Sequence, residues 1–299
     1  MKTFLGLGEC MVELASAGEN LWKQGFAGDV LNTLWYARAE LTPDWVVQFH
    51  SAVGVDSISD DMLAFISAAN IECQTMPRIA DRAPGLYSIH LNEAERSFTY
   101  WRETSAAKLM MADRDLFWRN VAAADLVYVT GITLAILPDQ DCDDLIDGVR
   151  AHMKPDATLC FDPNIRPRLW QDPVRMKACI TAMAAASDLV LPSFDDEKTI
   201  FNDKTPAETA ARYGGQGQLV IVKDGAAPTL VSQNGQSQSI PVPPVADVVD
   251  TTAAGDSFNG AFLAEWLQSK DPARAVAAAQ QCSGKVVGTK GALITVNAA

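Results

Sequence analysis

Histidine is scarce in this chain of 299 residues: His50, His90 and His152 stand alone, too few and too scattered to suggest a metal cluster. The six cysteines, Cys10, Cys73, Cys142, Cys160, Cys179 and Cys282, form no CxxC pair. That removes the usual zinc and thioredoxin-type spacings and points to reduced thiols. Basic residues are in short supply, 24 against 37 acidic ones, for a net charge of -13. Such a surface repels phosphate backbones and anionic lipid, so neither nucleic acid nor a membrane is an expected partner. No run of eighteen apolar residues is present, so no membrane-spanning helix is expected. The start, Met1-Lys2-Thr3-Phe4-Leu5-Gly6, carries one lysine, and Glu9 and Glu13 interrupt the apolar stretch. It reads as a core strand rather than a signal peptide, and the expected location is the cytoplasm. Three catalytic motifs are missing. Gly6-x-Gly8 lacks the third glycine of a dinucleotide fingerprint, since Met11 stands there. No Gly-x-x-x-x-Gly-Lys-Ser/Thr cradle and no Gly-x-Ser-x-Gly elbow occur.

What is present is 48% hydrophobic composition, ample for a large core in one or two domains. Apolar runs at 3–8, 45–50, 126–130, 158–161, 189–191 and 219–222 read as strands. Amphipathic stretches at 29–40, 57–69, 138–153 and 174–186 read as helices between them. The alternation predicts an α/β fold: a central, mostly parallel sheet with helices on both faces. Two hairpins break the rhythm, 84–91 with 96–101 around Asn92-Glu93-Ala94-Glu95, and 229–232 with 236–240 around Gln233-Asn234-Gly235. The first projects from a sheet whose C-terminal edge is where ligands of open α/β folds bind, so it is expected to cover a cleft and exclude water. From Gly255 onward the chain is predicted mostly helical.

The most informative string is Asp250-Thr251-Thr252-Ala253-Ala254-Gly255-Asp256-Ser257-Phe258, followed by Asn259-Gly260-Ala261-Phe262. Small residues at 253–255 let a ligand approach the backbone, and the apolar pattern after them starts a helix. Unpaired N–H groups at that helix start favour an anion. They are suited to charge gathering on a phosphoryl group in transfer. Asp256, in the first turn, is placed to accept a proton from an attacking hydroxyl.

This string resembles the C-terminal motif of the ribokinase-like (PfkB) carbohydrate kinases. Gly25-Phe26-Ala27-Gly28-Asp29-Val30-Leu31-Asn32-Thr33 is similar to the family's first Gly-Gly…Asn motif, with Ala27 replacing one glycine. Lys223-Asp224-Gly225-Ala226-Ala227 is similar to its nucleotide loop, with Pro228 where a second glycine is usual. The family's Asn-x-x-Glu has no asparagine here. Ser193 stands in its region, followed by Asp195, Asp196 and Glu197, and either Asp196 or Glu197 takes the glutamate's place.

The resemblance implies a ribokinase-like kinase domain over 1–299 with a small β-sheet lid, its segments at about 10–27 and 84–102. It implies ATP, Mg2+ and room for a monovalent cation such as K+, and leaves a homo-oligomer open. The implied catalytic group is Asp256 with Ala253, Ala254 and Gly255. Nucleotide contacts fall on Asn164, Arg166, Ser193, Lys223, Asp224, Gly225, Ala226 and Gly255. Substrate contacts fall on Gly28, Asn32, Tyr87, Tyr100, Trp101, Arg102, Arg166 and Asp256.

Further stretches are similar to the branch of the family that acts on a sugar acid, 2-keto-3-deoxygluconate. They are Gly8-Glu9-Cys10-Met11-Val12-Glu13-Leu14, Pro84-Gly85-Leu86-Tyr87, Tyr100-Trp101-Arg102, Gly131-Ile132-Thr133-Leu134-Ala135-Ile136-Leu137 and Phe161-Asp162-Pro163-Asn164-Ile165-Arg166-Pro167-Arg168-Leu169-Trp170. Phosphorylation at the 6-hydroxyl is implied. The local chemistry agrees, because an arginine fork binds a carboxylate through two parallel hydrogen bonds, which casts Arg102 and Arg166 as its readers. A kinase of a neutral sugar such as ribose or fructose is the alternative on the same fold. A non-catalytic sugar-acid sensor is the alternative in another class, disfavoured because binding alone needs no base.

Overall fold

Apolar runs set the central layer. In the computed structural model, which describes residues 1–18, 21–92, 95–215 and 217–295, Leu126–Thr130 and Leu219–Val222 are strands buried at every position. Continuous burial of this kind belongs to parallel strands covered on both faces. The chain order is β1 (Lys2–Leu7), β2 (Met11–Ser16), β3 (Trp22–Ala27), α1 (Asp29–Glu40), β4 (Trp45–His50), α2 (Ser57–Ala68), β5 (Ile71–Glu72), β6 (Leu86–Asn92), β7 (Glu95–Trp101) and α3 (Arg114–Ala123). It continues β8 (Leu126–Thr130), α4 (Gly131–Ile136), α5 (Asp139–His152), β9 (Thr158–Asp162), α6 (Pro173–Ala186), β10 (Leu189–Val190), α7 (Phe194–Phe201), α8 (Pro206–Tyr213), β11 (Leu219–Val222), β12 (Thr229–Gln233), β13 (Gln236–Ile240), α9 (Ala254–Ser269) and α10 (Pro272–Val287).

Among the described residues the main sheet has nine strands in the order β13-β12-β11-β10-β9-β8-β1-β4-β5. The pairs from β11 to β5 are parallel, and β12 and β13 add an antiparallel edge. That edge is the second expected hairpin. Alternate residues of each strand enter opposite cores. Phe4, Leu126, Tyr128 and Ile221 pack on one face, and Leu5, Val127, Val129 and Val220 on the other. The fold is therefore the expected helix-covered α/β sheet.

A separate small sheet runs β3-β2-β6-β7, with β2 parallel to β6 and the outer pairs antiparallel. It contains the first expected hairpin, whose tip at Glu93 and Ala94 lies outside the described residues. Strands β2 and β3 are not legible from periodicity, since they are half-exposed and only partly apolar. No helix among the described residues is long and apolar enough to cross a membrane. The six cysteines are buried free thiols. Cys142 and Cys179, distant in sequence, meet beside Asp143 between α5 and α6, a proximity their spacing does not suggest.

One close approach positions the site. A Cβ on Gly260 of α9 would come within 2.4 Å of the Thr33 carbonyl and 2.8 Å of Tyr36 Cβ on α1. Glycine thus lets the two helix backbones touch, and the N-terminal turns of α1 and α9 arrive side by side.

Candidate active site

A cleft of about 510 Å3 opens between the C-terminal edge of the main sheet and the small sheet. The main sheet and its helices supply Asp162 and Asn164 after β9, Lys223 after β11, Gly28, Asp29 and Asn32 at α1, and Thr251–Asp256 leading into α9. The small sheet supplies Met11, Ala27, Tyr87, Phe98 and Tyr100, with Arg102 just after β7.

Helix starts differ around this cleft. Those of α2, α3, α6, α8 and α10 are closed by aspartate or threonine side chains. Those of α1, α7 and α9 begin at Gly28, Ser193 and Ala253 with no side-chain cap, and all three of these residues line the cleft. Uncapped N-termini leave N–H donors and the positive end of the helix dipole for an anion. Ala253 adopts a left-handed conformation, φ 59°, which turns the chain sharply into α9. A Cβ on Gly255 would meet nothing nearer than Lys223 Nζ at 4.0 Å, so the space beside it belongs to the cleft rather than to the packing.

Asp256 sits in the first turn of α9, and Asn32 Nδ2 donates to its Oδ2 at 2.8 Å. Asn32 is fixed in turn by Gly28 N–H donating to Oδ1 at 3.3 Å. Burial, and then the nearby carboxylate of Asp29, push the Asp256 carboxyl up to about 7, against the pull of the Asn32 hydrogen bond. Burial also raises Asp29, although Thr130 and Asn164 hydrogen-bond to it, Asn164 Nδ2 at 2.9 Å. A carboxyl poised near neutral in a cleft is suited to proton transfer.

A buried polar network fixes the floor. Asn259, fully buried on α9, donates to Asp162 Oδ2 at 2.6 Å and to the Tyr128 hydroxyl at 3.0 Å. Lys223 Nζ donates to Asn259 Oδ1 at 2.9 Å and pairs with Asp162 at 3.3 Å. The ends of β9 and β11 are thereby tied to the start of α9.

Three arginines face the cleft. Arg102 pairs with buried Glu9, which also accepts from the Ser105 hydroxyl. Arg166 pairs with Asp196 at 3.1 Å, and Arg168 lies over the Tyr100 ring, 4.2 Å from its centroid. Tyr100 stacks on Tyr87 at 5.7 Å, and the Tyr87 hydroxyl donates to Glu13.

The pfkB family carbohydrate kinases match this chain over residues 7–299. The chain belongs to that family. A 2-dehydro-3-deoxygluconokinase of Haemophilus influenzae is 35% identical over 303 residues, spanning 98% of this chain and 96% of the relative. One of Dickeya dadantii is 35% identical over 301 residues, spanning 98% and 96%. Among solved structures, a putative ribokinase II of E. coli in complex with ATP and Mg2+ superposes with a TM-score of 0.83 at 21% identity. It covers 97% of this chain and 94% of that one, a likeness of fold.

The PfkB residues expected from sequence largely converge. Gly28, Asn32, Tyr87, Tyr100, Arg102, Asn164, Arg166, Ser193, Lys223, Ala253, Ala254, Gly255 and Asp256 all line the cleft. Trp101 is a correction. Strand alternation turns it away from the side shared by Tyr100 and Arg102, and it is 58% exposed. Asp224, Gly225 and Ala226 form a turn after β11, closed by Ala227 N–H on the Asp224 carbonyl, and do not line the cleft. Asp196 and Glu197, the two candidates for the glutamate's place, face different surroundings. Glu197 is wholly buried against Arg212 and Tyr213, whereas Asp196 turns to Arg166 at the cleft. Sequence reasoning did not single out Glu9, Asp29, Asp162 or Arg168 as site residues. Each sits within a quoted motif; for Glu9 and Asp162 the available signal was an acidic side chain just past a predicted core strand, and for Asp29 an acid at a predicted helix start.

Proposed function

We propose that this chain transfers the γ-phosphoryl group of ATP to the 6-hydroxyl of 2-keto-3-deoxygluconate (2-dehydro-3-deoxygluconate), giving 2-keto-3-deoxy-6-phosphogluconate. The observation that carries the chemistry is Asp256, held by Asn32 at the uncapped start of α9 and raised towards neutral. The names of the 33–35% identical relatives support the acceptor.

In this reading the sugar acid lies between the small sheet and Asp256. Asp256 takes the proton of the 6-hydroxyl as the new O–P bond forms, the bond between the γ-phosphorus and the β,γ-bridging oxygen breaks, and ADP leaves. The N–H groups following Ala253 stabilise the equatorial phosphoryl oxygens as their charge grows. The open space at Gly255 lets those oxygens reach the backbone. Lys223, Asn164 and Ser193 extend the nucleotide side, with Asp224–Ala226 further along the same edge.

We assign Mg2+ to the side of the cleft that holds Asp162, after β9, and Asp196, beside Arg166; when bound it would neutralise phosphate charge. A role for a monovalent cation such as K+ is left open and is decided by the assay below. Residues 10–27 and 84–102 act as a lid over the sugar within one kinase domain spanning 1–299, excluding water as a competing acceptor. The working compartment is the cytoplasm, where ATP is at hand.

The test is identification of the product formed from 2-keto-3-deoxygluconate, ATP and Mg2+, with and without K+, by phosphorus NMR and mass spectrometry. A 6-phosphate is expected. ADP without a phosphorylated sugar, or phosphate on another hydroxyl, contradicts the reading.

A further inference from the structure

Two of the six buried cysteines differ from the rest. Burial pushes the thiols of Cys10, Cys73, Cys160 and Cys282 up from their ordinary value, which leaves them unreactive. Cys142, in the first turn of α5, and Cys179, in the second turn of α6, instead meet in the core between those helices. Their sulfur atoms and a carboxylate oxygen of Asp143 lie within 4.8 Å of one another. The hydrogen bond between the two thiols divides their roles: it lowers Cys179 and raises Cys142, which keeps its proton. Arg175, one turn before Cys179 on α6, adds a cation that favours the Cys179 thiolate. The nearby carboxylates are already engaged, since Arg175 donates to Asp139 at 3.1 Å and to Asp143 at 3.0 Å. What remains is a thiolate beside a protonated thiol rather than a set of free metal donors.

We propose that Cys142 and Cys179 are a peroxide-sensitive dithiol that closes to a reversible disulfide and braces α6 against α5. The site lies outside the cleft and does not depend on the sugar-acid reading. The Cys179 thiolate attacks one oxygen of hydrogen peroxide; an S–O bond forms, the O–O bond breaks, and hydroxide leaves and takes up a proton. The Cys142 sulfur then attacks the Cys179 sulfenic acid. The S–S bond forms, the S–O bond breaks, and the hydroxyl departs as water with the Cys142 proton. The two thiols lose two electrons, and peroxide is reduced to water. Cys179 is 5% exposed and Cys142 1%, so a small peroxide can enter where a glutathione-sized disulfide is excluded. The chain between the two cysteines runs through β9 and the loop that carries Asn164 and Arg166 into the cleft, and α6 is where that loop lands. Closing a loop on the order of 40 residues should raise the melting temperature by about 5–10 °C in a protein of this size.

The experiment exposes the folded, fully reduced chain to hydrogen peroxide, blocks residual thiols and maps the peptides by mass spectrometry without reduction. A Cys142–Cys179 cross-link is expected, with the other four cysteines still alkylated. The oxidised protein should melt higher by the stated amount, and dithiothreitol should return both the mass and the melting temperature to those of the reduced form. In Cys142→Ser the Cys179 sulfenic acid should persist and be captured by dimedone, whereas Cys179→Ser should leave Cys142 unoxidised. No cross-link in wild type, a cross-link through another cysteine, or a linked form that melts no higher than the reduced one overturns the proposal. Dimedone capture on Cys142 in Cys179→Ser reverses the order of attack and overturns the role given to Arg175.

Discussion

Replacing Asp256 by asparagine should move activity and stability in opposite directions. Asparagine keeps the shape, and its Oδ1 still accepts from Asn32, but it has no basic site. Base catalysis contributes about 10²–10⁴-fold, so kcat should fall by at least that order, with KM for the sugar acid largely kept. The stability sign follows from the carboxyl's rise from its ordinary 3.8 to about 7. A group with a raised folded-state pKa favours the fold below its unfolded pKa and loses that advantage as pH climbs through the folded value. A gap of about three pH units at 1.36 kcal/mol each sets a ceiling of ~4 kcal/mol, and partial solvation of the cleft reduces it to ~2 kcal/mol. For a chain of 299 residues that corresponds to a melting temperature about 4 °C higher for Asp256→Asn at pH 8. The difference should shrink as pH falls to 5. Coupled ADP release and thermal melts of the purified ligand-free proteins at pH 5, 6 and 8 measure both effects. Near-normal turnover refutes the base, and an unchanged or lowered melting temperature at pH 8 refutes the strained carboxyl.

The same group predicts the acid limb of the rate profile: kcat/KM should fall about tenfold per pH unit below about 7 as Asp256 protonates. Gly255→Ala should melt like wild type, because its Cβ meets nothing nearer than Lys223 Nζ at 4.0 Å. It should nonetheless lose at least about tenfold in kcat/KM for ATP by crowding the phosphate oxygens; unimpaired kinetics would remove the anion site from this loop. Saturating sugar acid should slow hydrogen exchange in β2, β3, β6 and β7, and unchanged exchange there would count against a lid.

Continuous apolar runs such as Leu126–Thr130 and Leu219–Val222 made the parallel sheet readable, because burial on both faces leaves a pattern in the residues themselves. The string around Asp256 was readable because small residues, an acid and a helix start coincide within a few positions. Long-range pairing was not. Arg102 meets Glu9 from 93 positions away, and Asn259 joins Asp162 and Lys223 from 97 and 36 away. No local pattern encodes such partners, so arginines that look alike in sequence carry different free charge in space. Trp101 shows the cost of reading a strand residue by its neighbours, since alternation places it on the opposite face from Tyr100 and Arg102. Glu197 and Asp196, adjacent in α7, diverge for the same kind of reason: one turns to the half-buried Arg212, the other to Arg166.

The central claim is that this fold phosphorylates a sugar acid. Coupled ADP release by the purified chain with ATP and Mg2+, across 2-keto-3-deoxygluconate, gluconate, ribose and fructose, tests it most directly. The account predicts a kcat/KM for 2-keto-3-deoxygluconate at least about tenfold above that for any neutral sugar, the factor one charge-assisted contact supplies. A preference for ribose or fructose, or no turnover of the acid, would contradict it.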